Sequence, residues 1–246
     1  CYYEHEIYDW VTPGIYTCAT TQSNHSYGAP YYFWLKQHQD MTEVTIEEDR
    51  PYLFAYMGRT CNDLRKNILD LEGHHQKSLL EDTTRSYPIF DKTLPRTDLE
   101  KQRKRYLKAL SKAKFALCPR GTGVTSIRQY EAMRFGCVPV LLSDGIKNPF
   151  GIDWSECSVQ IAEKDWRQIP EALEALEGRF PEMSKAARAA YDQLLSPSGF
   201  WRYIEKAVLR AKAEQFNQGH DLRRLRQGKR AEAYKIFKNR SKKRLK

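Results

Sequence analysis

Hydrophobic positions fall into short unbroken runs separated by longer stretches with helical spacing. The run "PYLFAYMG" at 51–58 predicts a buried strand ending in glycine, followed by a helix from about Cys61 to Leu71. The next stretch is polar and contains His74 and His75. Adjacent side chains diverge on a helix or a strand, so this pair suits a metal poorly. Residues 97–113, "TDLEKQRKRYLKALSKA", carry the apolar stripe of an amphipathic helix opened by Thr97 and Asp98. Strand "KFALC" at 114–118, a glycine loop, a helix over 126–135 and strand "VPVLL" at 138–142 come next. A loop through Trp154 leads to strand "CSVQI" at 157–161. Helices over 164–177, 181–195 and 199–216 complete the pattern, with Pro197 and Gly199 as punctuation.

Strands alternating with helices, and strands that are apolar nearly throughout, predict an α/β fold. The sheet is parallel and Rossmann-like, with helices on both faces. Ligands bind such sheets at the carboxyl ends of the strands, where the strand order reverses. The aromatic-rich residues 1–50 show no such alternation, so the body of the domain is expected over 51–216 and a tail over 217–246.

Composition refines this picture. The 246 residues suffice for one large or two small domains, and 41% hydrophobic residues supply a core. No apolar run is long enough to span a bilayer. The formal charge of +10 is localised: residues 219–246 hold 12 Lys and Arg against Asp221 and Glu232, and the rest of the chain balances. The tail is therefore either a solvated terminus or a segment attracted to an acidic surface. A nucleic-acid-binding body is disfavoured. The six cysteines are scattered and form no CxxC pair, which argues against zinc.

Candidate chemistry concentrates in "KFALCPRGTGVTSIRQYEAMRFGCVPVLLSD" at 114–144. Gly121 and Gly123 let the backbone approach a ligand, and the loop continues through Thr122. The following helix can start at Ser126 with Gln129 in capping-box spacing, or Thr125 can be the cap. Either start directs amide N–H groups into the loop, a seat for an anion. Arg120 and Arg128 add guanidinium donors for phosphate oxygens. Glu131, three residues beyond Arg128, can accept from both hydroxyls of a ribose, or the two can simply pair on an exposed helix. Gly136 ends that helix. The spacing is neither GxGxxG nor a Walker A loop.

The same residues resemble a known family. Lys114 to Pro119, Gly121, Ser126, Arg128, Glu131, Ala132 and Gly136 to Val140 are similar, in order, to the nucleotide-sugar-binding half of the exostosin-like glycosyltransferases. Ser143, Asp144, Pro149, Phe150, Asp153, Trp154 and Glu163 to Asp165 continue the pattern. Upstream, "YLFAYMGRTCNDLRKNIL" resembles the family's strand, glycine and arginine-bearing loop, with Arg59 and Arg65 then near the diphosphate.

The resemblance implies a GT-B fold, in which two Rossmann-like halves bind acceptor and donor. It also implies inverting sugar transfer from a nucleotide diphosphate sugar, usually UDP-linked, to a glycan hydroxyl, with no separate cofactor and no obligatory metal. The chain contains no Asp-x-Asp. Many retaining GT-B enzymes place a second glutamate eight positions before the ribose-binding one, and Gly123 stands there. About 50 residues precede the donor half, too few for a complete acceptor domain, so 1–50 are read as a reduced or remnant acceptor side. Glu4, His5, Asp9 and His25 are the ionisable candidates there for the general base of an inverting reaction. Tyr2, Tyr3, Trp10, Tyr31 and Tyr32 are candidates to stack on acceptor sugars or to fill a core. A non-catalytic partner of another transferase is the rival reading.

Overall fold

The computed structural model describes residues 14–17, 19, 26–30, 49–71, 75–84, 96–121 and 123–217, without the side chains of 26, 96, 97, 99 and 214–217. The five N-terminal aromatics, His74 and the basic segment 219–246 lie outside the described residues.

Strands β1 (Gly14–Tyr16) and β2 (Ser26–Gly28) form a small parallel pair. β3 (Tyr52–Gly58) leads through helix α1 (Asp63–Leu69) to β4 (Ser78–Asp82), and α2 (Arg96–Ser111) leads to β5 (Ala113–Pro119). Then come α3 (Arg128–Arg134), β6 (Val138–Leu142), the one-turn α4 (Trp154–Cys157) and β7 (Val159–Gln160). A 3-10 turn over Glu163–Gln168 precedes α5 (Ile169–Leu176), and α6 (Phe180–Leu195) and α7 (Pro197–Asn217) follow. The five strands pair in the order β4-β3-β5-β6-β7, all parallel.

Alternation along the strands sorts large from small side chains. Phe54, Tyr56, Phe115, Leu117, Val138 and Val140 pack against α1, α5 and Trp166. On the opposite face, Ala55, Ala116, Cys118 and Leu141 meet Leu107 and Leu110 of α2 and Ala132 of α3. Small strand residues let α2 and α3 lie close to the sheet. Fully burying one of the larger side chains contributes about 2–3 kcal/mol. At the amino-terminal edge, buried Arg50 donates to the carbonyls of Leu110, Ala113 and Phe135, joining the ends of α2 and α3 to the start of β5. A third cluster joins Ala29 to α3, α6 and α7, including Tyr130, Tyr191 and Phe200, so residues 26–30 pack on the body of the domain.

Several expected boundaries shift. β4 is a strand within the stretch read as polar; its Leu80 alone is fully covered and its Asp82 is exposed, as suits a sheet edge. "CSVQI" is not one strand. Asp153 accepts from the amide and hydroxyl of Ser155 and caps α4, so Cys157 ends a helical turn and only Val159–Gln160 pair with β6. The helix after the glycine loop starts at Arg128 rather than Ser126. Ile127 stands at its cap position with no side-chain bond, and the Thr125 hydroxyl is buried with no partner among the described residues, so neither expected cap forms. Gly136 does end this helix, at φ 63°, the left-handed conformation that glycine tolerates.

Candidate functional site

The chain passes from β3 to β4 on one side, then returns to β5 on the other side of β3. The strand order therefore reverses between β3 and β5, and beyond the carboxyl ends of the strands at such a point sheets of this kind form a ligand crevice. The loops after Gly58 and Pro119 flank it. They carry Arg59, Arg65, Arg120 and Gly121, and Arg128 reaches in from α3.

Arg65 sits on the first turn of α1. Its Nε donates to Arg120 O at 2.9 Å, Nη2 to Pro119 O at 3.2 Å and Nη1 to Arg59 O at 3.3 Å. Asn62 caps the same helix by accepting from the Arg65 amide, and its Nδ2 donates to the carbonyls of Arg120 and Gly121. One helix start thus fixes both loops. The sequence reading missed Asn62, although Asn-Asp before a helical stripe is a cap signal. Burial, with Arg128 as a second cause, pulls the Arg65 guanidinium below its ordinary value.

Arg128 crosses the carboxyl end of β3. Its Nη2 donates to Met57 O at 2.7 Å, and its guanidinium carbon lies 4.9 Å from the Tyr56 ring centroid and 5.8 Å from that of Tyr106. Its Nε is buried and, among the described residues, has no hydrogen-bond partner. Burial opposes the charge, but Tyr106, Tyr56, Cys118 and Glu131 more than offset it and hold the guanidinium above its ordinary value. Gly58 makes room for this arrangement: a Cβ there would come within 2.6 Å of Arg128 Nη2 and 2.7 Å of the Tyr56 hydroxyl.

Glu131 does not pair with Arg128. Its Oε2 accepts from the Tyr106 hydroxyl at 2.7 Å, and among the described residues Oε1 has no hydrogen-bond partner. Burial, followed by the Glu131 charge, pushes the Tyr106 hydroxyl well up, so it remains a donor.

Arg120 is directed differently. Its Nε donates to both oxygens of Glu163, at 2.7 and 2.9 Å. The Glu163 amide donates to Asp144 Oδ1 at 2.9 Å. This latch ties together the loops after β5, β6 and β7. Ser126 is buried and Gly121 lies in the loop, where a Cβ would sit 3.4 Å from Arg65 Nη2.

Thr122, Glu4, His5, Asp9 and His25 lie outside the described residues. His75 packs on Phe54 and bonds Glu174 at 3.0 Å. Among the described residues no three His, Cys, Asp or Glu side chains cluster as metal ligands, and no helix is long and apolar enough to cross a membrane.

The site residues thus fall into two groups. Arg65, Arg128 and Glu131 share the β3–β5 crevice with Tyr56 and Tyr106, whereas Arg120 belongs to a latch with Glu163 and Asp144. The chain is 38% identical over 163 residues to the Exostosin-1 homolog of Caenorhabditis elegans, covering 61% of this chain and 42% of that protein. It is 40% identical over 73 residues to the Probable beta-1,4-xylosyltransferase IRX10 of Arabidopsis thaliana, covering 29% and 18%. The Probable glucuronosyltransferase GUT1 of Oryza sativa subsp. japonica is likewise 40% identical over 73 residues, covering 29% and 18%. The chain thus spans less than half the length of each of these relatives. The family model described as Exostosin GT47 domain matches residues 20–176, well over half of the chain and every described element of the crevice, and the chain belongs to that family.

Proposed function

We propose that the chain is the donor-binding half of an inverting glycosyltransferase. It holds a nucleotide diphosphate sugar, UDP-linked, for transfer of the sugar to a glycan hydroxyl. One observation carries this reading. Arg65 and Arg128 stand at the strand-order reversal on carbonyl oxygens rather than carboxylates, and Arg128 keeps a donor unmade. Carbonyls orient a guanidinium without neutralising it. The crevice therefore holds two fixed guanidinium groups against the single Glu131 carboxylate, a net positive charge suited to a diphosphate and to the charge that develops as it leaves.

In this assignment Arg128, Arg65 and the N–H groups of the loop after β5 hold the diphosphate. Arg59 adds charge at the rim. Arg120 contributes less, because Glu163 screens it. Glu131 accepts from the ribose hydroxyls. No separate cofactor and no metal enters this assignment, since guanidinium groups supply the positive charge. Inversion needs a base on the face of the sugar opposite the leaving diphosphate, and Glu4, His5, Asp9 and His25 remain its candidates.

The similarity to proteins named as xylosyl- and glucuronosyltransferases supports the same class of chemistry. A thermal-shift screen against nucleotide sugars, followed by product analysis with glycan acceptors, tests the reading. UDP and one UDP-sugar should raise the melting temperature, since a ligand bound only to the folded state stabilises it. Binding without transfer in the full-length protein would favour the non-catalytic alternative; no shift with any nucleotide would end both.

A further inference from the structure

Tyr106 lies outside the 114–144 stretch and was not among the expected site residues, yet its hydroxyl is 2.7 Å from Glu131 Oε2. The two side chains come from rigid elements on one face of the sheet. Leu107 and Leu110 anchor α2, and Ala132 and Met133 beside Glu131 are buried. The small strand residues Ala116 and Cys118 bring the two helices close enough for the bond to form. An unrestrained glutamate on a helix samples several rotamers, whereas this one has an oxygen fixed before any ligand arrives. The Tyr106 ring also faces the Arg128 guanidinium at 5.8 Å. A single side chain therefore orders both the carboxylate and the arginine of the crevice.

We propose that Tyr106 is a positioning residue that makes the crevice selective for ribose over deoxyribose, by holding Glu131 Oε2 so that Oε1 is presented to the sugar hydroxyls. This inference rests on the assignment of Glu131 to the ribose. A phenylalanine at 106 would fill the same volume and keep the ring over Arg128, so packing alone does not require the hydroxyl. A fixed carboxylate oxygen rejects a sugar lacking its hydroxyl because the acceptor is left without a partner.

The test is calorimetric binding of UDP, GDP and ADP to the wild-type chain, with the tightest binder then compared with its 2′-deoxy analogue. Wild type should prefer the ribonucleotide by about tenfold. Tyr106→Phe should reduce that ratio to about twofold, chiefly by weakening the ribonucleotide. The melting temperature of the unliganded variant should change little. Tyr106→Met, which also lacks the hydroxyl and leaves Glu131 intact, should lose the preference in the same way and serves if the phenylalanine variant does not fold.

If Glu131→Ala abolishes the preference while Tyr106→Phe retains it, the positioning role is overturned and the ribose assignment stands. Equal weakening of ribo- and deoxyribonucleotide in Tyr106→Phe would mark a purely structural tyrosine and also overturn the role. A wild type that binds no nucleotide, or does not distinguish the two sugars, would overturn the assignment and the inference together.

Discussion

Arg120 and Arg128 flank one loop and end in opposite electrostatic settings. Arg120 faces the β5–β7 side, where Glu163 neutralises it and Asp144 completes a latch between loops. Arg128 faces the β3–β5 side, where a carbonyl and two aromatic rings orient it and, among the described residues, no carboxylate forms a salt bridge with it. The first arrangement fastens loops together. The second keeps positive charge available at the point where the sheet reverses its strand order. Residue type alone does not distinguish them; the partner supplied by a distant strand does.

The largest expected effect separates these roles directly. Arg128→Leu should lower nucleotide affinity about a hundredfold, the scale for removing a desolvated charged contact. Arg120→Leu should instead lower the melting temperature, because Glu163 loses its partner, and weaken nucleotide less than tenfold. Calorimetry and thermal melts on both variants check this pair; equal losses of affinity would erase the distinction.

Gly58→Ala comes next. The added methyl must displace the Arg128 guanidinium or the Tyr56 ring, at a cost of about 1–3 kcal/mol in stability together with weaker nucleotide binding. Combining it with Arg128→Leu should recover part of the stability loss, because the longer of the two obstructing side chains is gone. Strict additivity in that double-mutant cycle would mean that Gly58 has no bearing on Arg128.

Glu163→Gln should act with opposite signs on stability and binding. Opening the latch costs about 1 kcal/mol in denaturant unfolding, while Arg120, no longer neutralised, should tighten nucleotide about twofold. Weaker binding in this variant would make the latch part of the nucleotide site.

The smallest effect lies at the other end of β5. Lys114 hydrogen-bonds Glu177 and holds its carboxyl below the ordinary value of 4.5. A carboxylate depressed by folding stabilises the fold above its unfolded value, and that contribution disappears as pH falls through the folded value. Glu177→Gln should therefore slightly lower the melting temperature at pH 7 and flatten the stability curve below pH 4.5, with nucleotide affinity unchanged. A change in affinity would show that the latch and the crevice are not insulated from this edge.

Much of this arrangement was legible in the sequence. The uninterrupted apolar runs marked β3, β5 and β6, since strands buried on both faces need no polar alternation. Gly136 and the arginines placed the loop and helix correctly to within a few residues. What escaped depended on long-range partners. β4 was hidden because an edge strand buries little, and "CSVQI" was split by the cap that Asp153 makes locally. Tyr106 looked like one more aromatic on an amphipathic helix, because its contact with Glu131 exists only once β5 has brought α2 beside α3. Glu163 was visible as part of a motif, yet only the register of β6 and β7 shows that it binds Arg120.

A crystal structure of the chain grown with UDP should show the diphosphate within hydrogen-bonding distance of Arg128 and Arg65 at the β3–β5 crevice, with the ribose hydroxyls on Glu131 Oε1. Density for the nucleotide elsewhere, such as the cavity of about 360 Å³ lined by Trp154, Arg179 and Met183, with Arg128 untouched, would contradict this placement.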